Sequence, residues 1–125
     1  VTNFIFQALQ DNNITIYGDG SQTRSFSYVE DTVDGIISLM QSNEYDVFNI
    51  GNPNEITVLE LAQKIIELTN SKSEIVFKSL PSDDPKQRKP DISKAKSKLG
   101  WEPKVNLEDG LIKTIDWVEY KLTTE

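Results

Sequence analysis

The sequence predicts a small α/β fold, built as one domain over residues 1–125. Three observations support this prediction. Segments with apolar residues at helical spacing alternate along the chain with short runs of β-branched residues. Gly, Asn and Pro separate these segments, as is typical of turns, and the length fits one domain. Alternating helices and strands pack as layers around a core, so an α/β class follows.

The first forty residues contain two predicted helices with a strand and a turn between them. Residues 1–9 carry apolar side chains on one helical face, and residues 14–17 alternate as a short strand. Residues 18–21, Gly-Asp-Gly-Ser, tolerate positive φ and predict a turn, after which residues 23–28 are expected to be extended. Apolar residues at intervals of three and four then predict a helix over residues 29–40.

The middle of the chain predicts two further strands around a well-marked helix. Residues 47–50, Val-Phe-Asn-Ile, are expected to form a buried strand that ends at a Gly-Asn-Pro turn. Thr57 and Glu60 have the spacing of a capping box, which places a helix start at that point. The apolar residues of this helix, expected to face the core, are Leu61, Ala62, Ile65 and Ile66. Residues 74–80 form the next predicted strand.

The last third of the chain begins with a polar loop and ends in helices. Residues 81–91 lack periodicity and contain several prolines, which predicts a loop. Asp91 is expected to cap a short helix that ends at Gly100, where glycine suits the left-handed position after a helix. An amphipathic pattern over residues 107–122 predicts a C-terminal helix.

The composition excludes several classes of function. The chain has neither Cys nor His, which excludes disulfides, thiolate catalysis and the commonest metal ligands. No set of carboxylates has the spacing of a cation site, so we expect no metal. The formal charge of −7 argues against a nucleic-acid partner. The apolar runs are short and no signal peptide is recognisable, so we expect no membrane partner and a cytoplasmic location.

An aromatic residue and a cation flank the Gly-rich turn. Tyr17 precedes the turn and Arg24 follows it, which places a flat ring and a forked cation at its two ends. A nucleotide needs both groups, because the ring can cover its base and the guanidinium can donate to its phosphates. A plain turn with Tyr17 in the core is the alternative that these residues leave open.

Two further residues are candidates for binding a phosphate group. Asn49 stands where a predicted strand runs into a loop, and ligands of α/β sheets gather at the carboxyl ends of strands. Arg88 lies in the densest basic cluster, residues 86–89, between two prolines that reduce the entropy lost on binding. Arg24 and Arg88 could converge on one diphosphate. A turn-stabilising Asn49 and a solvated basic loop are the simpler alternatives.

Several motifs in collinear order resemble the extended short-chain dehydrogenase/reductases that act on nucleotide sugars. These motifs are YGDGSQTRSF at residues 17–26, YVED at 28–31, FNIGNP at 48–53, TVLELA at 57–62 and LGWEPK at 99–104. Within that family, residues 3–5, 7–9 and 83–92 are most similar to UDP-glucuronate decarboxylase, which makes UDP-xylose. The resemblance covers almost the whole chain. It implies the small C-terminal substrate-binding domain of such an enzyme, with the Rossmann core mostly missing.

The resemblance implies a binding role for five residues. Tyr17 would pack against the uracil, and Arg24 and Arg88 would hold the diphosphate. Asn49 would contact the region between diphosphate and ribose, and Gln7 would lie near the nucleotide. The implied ligand is a UDP-sugar. The implied reaction of the parent enzyme is the lyase conversion of UDP-glucuronate to UDP-xylose and CO₂ with bound NAD.

The chain departs from the family pattern in the parts that concern cofactor and catalysis. No three-glycine fingerprint follows a predicted strand. No Tyr has a Lys four positions later, since those positions hold Ser21, Thr32, Asn49 and Thr124. We therefore expect the NAD site and the catalytic residues on an absent N-terminal Rossmann domain. The opening helical pattern without a cap is interpreted as a cut through a longer parent. We expect that parent to be a homodimer and the fragment alone to be inactive.

Two other interpretations stay open. The chain could come from a UDP-sugar 4-epimerase or a dTDP-glucose 4,6-dehydratase, although residues 88–91, Arg-Lys-Pro-Asp, favour the decarboxylase. It could also be a non-catalytic scaffold module that folds alone. If a Rossmann domain is missing, the surface that meets it should be exposed and partly apolar, so we expect the isolated chain to self-associate or to be marginally stable.

Overall fold

A computed structural model describes residues 1–79 and 89–124 of the chain. Helices and strands alternate within this described part, which confirms the predicted α/β class. In chain order the elements are α1 (Thr2–Leu9), β1 (Ile14–Tyr17), β2 (Thr23–Arg24), α2 (Val29–Gln41), β3 (Ile56–Thr57), α3 (Val58–Thr69), β4 (Ile75–Lys78), α4 (Ser93–Leu99) and α5 (Leu107–Thr124). None of the helices in these two stretches has the length and apolar character that a membrane crossing requires.

The described residues group into two compact units. Unit 1 contains those of Val1–Arg24, Ile56–Gln87 and Leu111–Glu125, and unit 2 contains those of Ser25–Glu55 and Arg88–Gly110. The first turn of α5 therefore belongs to unit 2, and the rest of that helix belongs to unit 1. The assignment of residues 1–125 to one nucleotide-sugar-binding domain stays a prediction.

Unit 1 is built around a parallel pair of strands. β1 and β4 run side by side with Ile14 opposite Ile75, and α1 and α3 pack against each other and against β1. Successive side chains of a strand point to opposite faces, so Ile14 and Ile16 are buried while Tyr17 is exposed. The buried apolar residues of this unit are Ile5, Ala8, Ile14, Ile16, Leu61, Ala62, Ile65, Leu111, Ile115 and Val118.

The Gly-rich turn after β1 is held against the start of α3. Gly18 and Gly20 have φ values of +90° and +81°, a region that glycine adopts without strain. The Gly20 carbonyl accepts a hydrogen bond from the Leu59 N–H at 3.1 Å. Thr57 caps α3, because its hydroxyl accepts from the Glu60 N–H at 3.1 Å. The predicted turn and the predicted cap are both confirmed.

A short antiparallel pair of strands continues from this turn. Thr23 of β2 lies opposite Thr57 of β3, and Arg24 lies opposite Ile56. Of the predicted extended segment 23–28, only these first two residues form a strand. The pairing sets Arg24 beside the start of α3.

Unit 2 packs around Trp101, which is buried. The indole N–H of Trp101 donates to the Asp31 carbonyl at 3.0 Å, and the Asp31 carboxylate accepts from the Val105 N–H at 3.0 Å. These bonds fasten α2 to the segment that follows α4. Gly35 allows the same helix to approach closely, since a Cβ there would stand 2.6 Å from the Ile50 Cγ2. The apolar residues packed with Trp101 are Phe48, Ile50, Ile92, Ala95 and Leu99.

The prediction of a buried strand over residues 47–50 is wrong. This segment has no strand conformation, and Val47 is 80% exposed. Lys94 holds it instead, because the Lys94 ammonium donates to the Val47 carbonyl at 3.0 Å and pairs with Asp46. A strand needs a neighbour to complete its backbone hydrogen bonds, and no strand of residues 1–79 or 89–124 pairs with this segment.

The apolar face of α2 is exposed to solvent. It consists of Val29, Val33, Ile36, Ile37 and Met40, with exposures between 43% and 77%. The residues that α2 buries are Asp31 and Gly35. The predicted helix is therefore confirmed, but its apolar residues do not contribute to the core of the described chain.

Candidate functional site

An open cavity of about 680 Å³ lies in unit 1 beside β1. Its walls come from α1, β1, β2 and the start of α3, and its lining includes Phe4, Gln7, Thr15, Tyr17, Gln22 and Arg24. Three of the five predicted binding residues, Gln7, Tyr17 and Arg24, therefore line one cavity.

β1 contributes a backbone edge to this cavity. The Gly18 N–H donates to the Lys78 carbonyl of β4 at 2.6 Å. Because the backbone groups of successive residues in a strand point to opposite sides, those of Thr15 and Tyr17 point away from β4. The Thr15 N–H donates to the Gln7 Oε1 at 3.3 Å, and the Gln22 Nε2 donates to the Tyr17 carbonyl at 2.8 Å. The remaining two groups on this edge are the Thr15 carbonyl and the Tyr17 N–H. Among the described residues, neither has a hydrogen-bond partner outside β1 and β4.

The side chain of Tyr17 is available to a ligand. It is 53% exposed and lines the cavity, because it lies on the strand face opposite the buried Ile16. This exposure overturns the alternative in which Tyr17 belongs to the core.

Arg24 supplies a cation to the cavity. Its side chain is half-buried, and Nη1 donates to the Thr23 carbonyl at 2.7 Å. A guanidinium presents its N–H donors in a planar fork, a geometry that phosphate oxygens accept.

Gln7 has a defined orientation in α1. Because the Thr15 N–H can only donate, the Gln7 side chain must present its oxygen to β1, and its amide nitrogen is then the end that can donate to a ligand. The half-buried Gln7 lines the cavity with this amide.

The other two predicted binding residues are placed differently. Asn49 lies exposed in unit 2, where its Nδ2 donates to the Asp91 carbonyl at 3.3 Å. Hydrogen bonds from the Ser93 hydroxyl, and then from the Ser93 N–H, hold the pKa of Asp91 below its usual value of 3.8. Arg88 lies outside the described residues, so its position stays a prediction.

Sequence reasoning missed two residues of the cavity. Thr15 contributes backbone groups, which any residue type at that strand position would provide. Gln22 is 7% exposed and bonds to Tyr17 through its amide, a burial that the polar Gly-rich segment around it gave no reason to expect. The available signal was the alternation of β1, which marks Thr15 and Tyr17 as one face.

The Gly-rich turn after β1 does not have the arrangement of a dinucleotide-binding turn. A dinucleotide site places the pyrophosphate at the N-terminus of a helix that follows a strand and a glycine turn. Here the glycine turn after β1 leads into the two-residue strand β2. No group of three or more acidic side chains converges as a metal site in the part of the chain that the structure describes.

Comparison with known sequences places the chain beside enzymes of nucleotide-sugar metabolism. The GDP-mannose 4,6 dehydratase family matches residues 1–114. UDP-glucuronic acid decarboxylase 1 of Danio rerio is 55% identical over 122 residues, which is 98% of this chain. UDP-glucuronic acid decarboxylase 1 of Arabidopsis thaliana is 46% identical over 125 residues, or 100% of this chain. The chain spans 29% of the length of either relative.

Solved structures of two epimerases share this fold. The UDP-glucose 4-epimerase of Thermotoga maritima, determined with UDP-glucose, is 37% identical and superimposes with a TM-score of 0.91. The UDP-glucuronic acid 4-epimerase of Bacillus cereus, determined with UDP-glucuronic acid and NAD, is 31% identical with a TM-score of 0.89. Each comparison covers 95% of this chain, and 38% and 39% of the respective epimerase chain.

Proposed function

Since this chain belongs to the GDP-mannose 4,6 dehydratase family, we propose that it binds the UDP part of a nucleotide sugar. The resemblance to extended short-chain dehydrogenase/reductases that the motifs indicated is confirmed. One observation carries the proposal: a single cavity of unit 1 combines the exposed ring of Tyr17, the guanidinium of Arg24 and an open backbone edge on β1. These groups suit a base and a diphosphate.

The uracil base is proposed to lie along the open edge of β1. The imide of uracil has an N–H donor next to a carbonyl acceptor. The Thr15 carbonyl and the Tyr17 N–H offer the complementary acceptor and donor at neighbouring positions on the same edge, as a strand edge does for an added strand. The ring of Tyr17 would cover one face of the base, and the Gln7 amide nitrogen would donate to a second carbonyl.

The diphosphate is proposed to bind Arg24. Each charge-assisted hydrogen bond of this kind is worth roughly 1.5–3 kcal/mol. Arg88 is proposed as the second cation, and Asn49 as a contact to the region between diphosphate and ribose. For these two residues the proposal rests on the resemblance, and substitution is the appropriate test.

In the whole enzyme the substrate is proposed to be UDP-glucuronate, converted to UDP-xylose and CO₂ with bound NAD. The decarboxylases of Danio rerio and Arabidopsis thaliana support this choice. We propose that NAD and the catalytic residues belong to a part of the parent that this chain lacks, so that the chain alone is inactive. Its contribution is binding energy, since a firmly held UDP group orients the sugar attached to it. The homodimeric state of the parent and the cytoplasmic location stay predictions.

A UDP-sugar 4-epimerase is the second candidate. The TM-score of 0.91 and the 37% identity to the epimerase of Thermotoga maritima favour it. Both enzymes would use the same UDP site, so binding of UDP does not separate them. The parent enzyme incubated with UDP-glucuronate separates them, because the decarboxylase releases CO₂ and the epimerase only inverts C4.

An NMR titration of the chain with UDP, dTDP and CDP tests the proposed site. We expect chemical-shift changes at Gln7, Tyr17 and Arg24. These changes should saturate at a lower ligand concentration with UDP than with dTDP or CDP. A Tyr17→Ala variant should weaken binding, whereas Tyr45→Ala, which removes an exposed ring in unit 2, should not. A preference for dTDP would favour a dTDP-glucose 4,6-dehydratase. No shifts at millimolar UDP would contradict the proposal and favour a scaffold module.

A further inference from the structure

Gln22 is a buried polar residue that connects two sides of the cavity. Its side chain is 7% exposed, and its Nε2 donates to the Tyr17 carbonyl at 2.8 Å. Its backbone carbonyl accepts from the Val58 N–H at 3.0 Å. Gln22 therefore links the end of β1 to the start of α3 across the Gly-rich turn.

The backbone bonds of this turn do not depend on the Gln22 side chain. The Gly20 carbonyl and the Gln22 carbonyl accept from N–H groups at the start of α3 at 3.1 and 3.0 Å. The Asp19 carboxylate accepts from the Ser21 N–H at 2.9 Å. The Gln22 amide thus adds one specific contact, to the peptide group that follows Tyr17.

That peptide group is also held by β4, because its Gly18 N–H donates to the Lys78 carbonyl at 2.6 Å. It joins Tyr17 to Gly18, whose φ of +90° is accessible mainly to glycine. The hydrogen bond from the Gln22 amide to this carbonyl is only partly buried, so water can replace the amide there. Loss of the Gln22 amide would therefore leave the fold in place and make the Tyr17 carbonyl available to another donor.

We propose that Gln22 is a positioning residue for the base-binding edge. By donating to the Tyr17 carbonyl it occupies the acceptor beside the Tyr17 N–H, so that this carbonyl does not accept from the base. Gln7 does the same at the other end of the edge by accepting from the Thr15 N–H. The two glutamines leave one acceptor and one donor, the Thr15 carbonyl and the Tyr17 N–H. This inference rests on the proposed binding of UDP.

The test compares ligands with and without a base. Gln22→Met keeps the length of the side chain and removes the donor. Affinities for UDP and for inorganic diphosphate are measured by titration calorimetry, together with the free energy of unfolding. We expect Gln22→Met to lower the affinity for UDP about threefold to tenfold, the range that one hydrogen bond provides. The affinity for diphosphate should not change. Gln7→Met should act in the same direction.

A second variant tests the donor itself. Gln22→Glu presents a carboxylate that cannot donate at neutral pH, whereas its protonated form can. Relative to the wild-type chain at the same pH, its UDP affinity should recover as the pH is lowered from 7 to 5.

The outcomes separate this inference from the proposed function. A wild-type chain that binds diphosphate and UDP equally, or neither, overturns both. A wild-type chain that prefers UDP, with Gln22→Met retaining that preference, overturns the positioning role alone. Equal losses of UDP affinity, diphosphate affinity and stability would also overturn it, because they would show a purely structural role.

Discussion

A Cβ atom at Gly20 would stand 2.9 Å from the Cβ of Leu59, because the Gly-rich turn lies directly on the start of α3. Gly20 also has a φ of +81°, so an alanine there would be strained even without this contact. We expect Gly20→Ala to lower the free energy of unfolding by about 2–4 kcal/mol, as strain and overpacking add. Urea denaturation measures the loss.

Gly100 provides the matched control for this prediction. Its φ of +64° is also left-handed, but a Cβ there would meet no atom within 4 Å. Gly100→Ala should therefore cost only the backbone strain, about 1–2 kcal/mol. Equal losses in the two variants would contradict the importance of the contact with Leu59.

The buried carboxylate of Asp31 provides a prediction for unit 2. It accepts from the Val105 N–H at 3.0 Å, and Asp31→Leu would leave that N–H without a partner. The expected loss is roughly 1–3 kcal/mol of unfolding free energy, with a smaller loss for Asp31→Asn, which keeps an acceptor. Asp34 is exposed on the same helix, and Asp34→Leu should change stability by less than about 0.5 kcal/mol. Similar losses of unfolding free energy at Asp31 and Asp34 would contradict the stabilising role of the Asp31 carboxylate.

Elements with a complete local signal could be predicted from the sequence. The cap at Thr57 and the left-handed Gly100 depend on residues close in the chain. Residues 47–50 could not be predicted correctly, because a strand also needs a partner strand. The exposure of the α2 face could not be predicted either, since a periodic pattern does not state what packs against it.

The candidate site was predictable to the extent that side-chain chemistry defines it. Tyr17 and Arg24 were identified from an aromatic ring and a guanidinium around a turn, and they line one cavity. Thr15 was not identified, because its contribution is a backbone carbonyl. Gln22 was not identified either, because its role depends on a distance of 2.8 Å to a carbonyl five residues away.

Arg24 provides a prediction about affinity. If its guanidinium donates to the diphosphate, Arg24→Gln should weaken UDP binding roughly 10- to 100-fold, the equivalent of one charge-assisted bond. Arg24→Lys should recover part of this loss, because it restores the charge without the planar fork. Lys72→Gln, which removes a charge from an exposed position of unit 1, controls for the change in net charge. Calorimetry with UDP measures all three, and equal affinities would exclude Arg24 from the site.

Asp11 makes the stability of unit 1 depend on pH. Its carboxylate accepts from the Lys72 N–H at 2.9 Å and from the Ser71 hydroxyl at 3.0 Å. These bonds, that of Lys72 first, hold the pKa of Asp11 below its usual value of 3.8. A pKa that is lower in the folded state stabilises the fold above the unfolded-state pKa. This stabilisation should be present above about pH 4 and lost as the pH falls through the folded-state pKa.

Asp11→Asn isolates this contribution. Asn tolerates the positive φ of +53° at this position and keeps an acceptor, but it does not titrate. We expect the variant to lose less stability than the wild-type chain between pH 4 and pH 2, as measured by urea unfolding. The lowered pKa values of Asp46 and Asp91 act in both proteins, so the difference reports Asp11. If the unfolding free energies of the two proteins fall in parallel with pH, the hydrogen bonds of Asp11 do not contribute to the pH dependence of stability.

The exposed face of α2 predicts that the isolated chain self-associates. Val29, Val33, Ile36 and Met40 follow one another at intervals of four, three and four residues, the spacing with which two helices interlock. A second copy of the chain in antiparallel orientation could cover this face. That orientation would place the acidic Glu30 and Asp34 beside the uncharged end of the partner helix.

Ile36→Lys tests this association without altering the core. Ile36 is 49% exposed, so the substitution should leave the free energy of unfolding of the monomer within about 0.5 kcal/mol. It should shift the sedimentation of the chain towards a monomer, because a charge would have to be buried in the contact. Ile112→Lys, which changes a residue of α5 with 42% exposure, should have no such effect. A wild-type chain that sediments as a monomer at high micromolar concentration would contradict the prediction, and an equal effect of both substitutions would place the contact elsewhere.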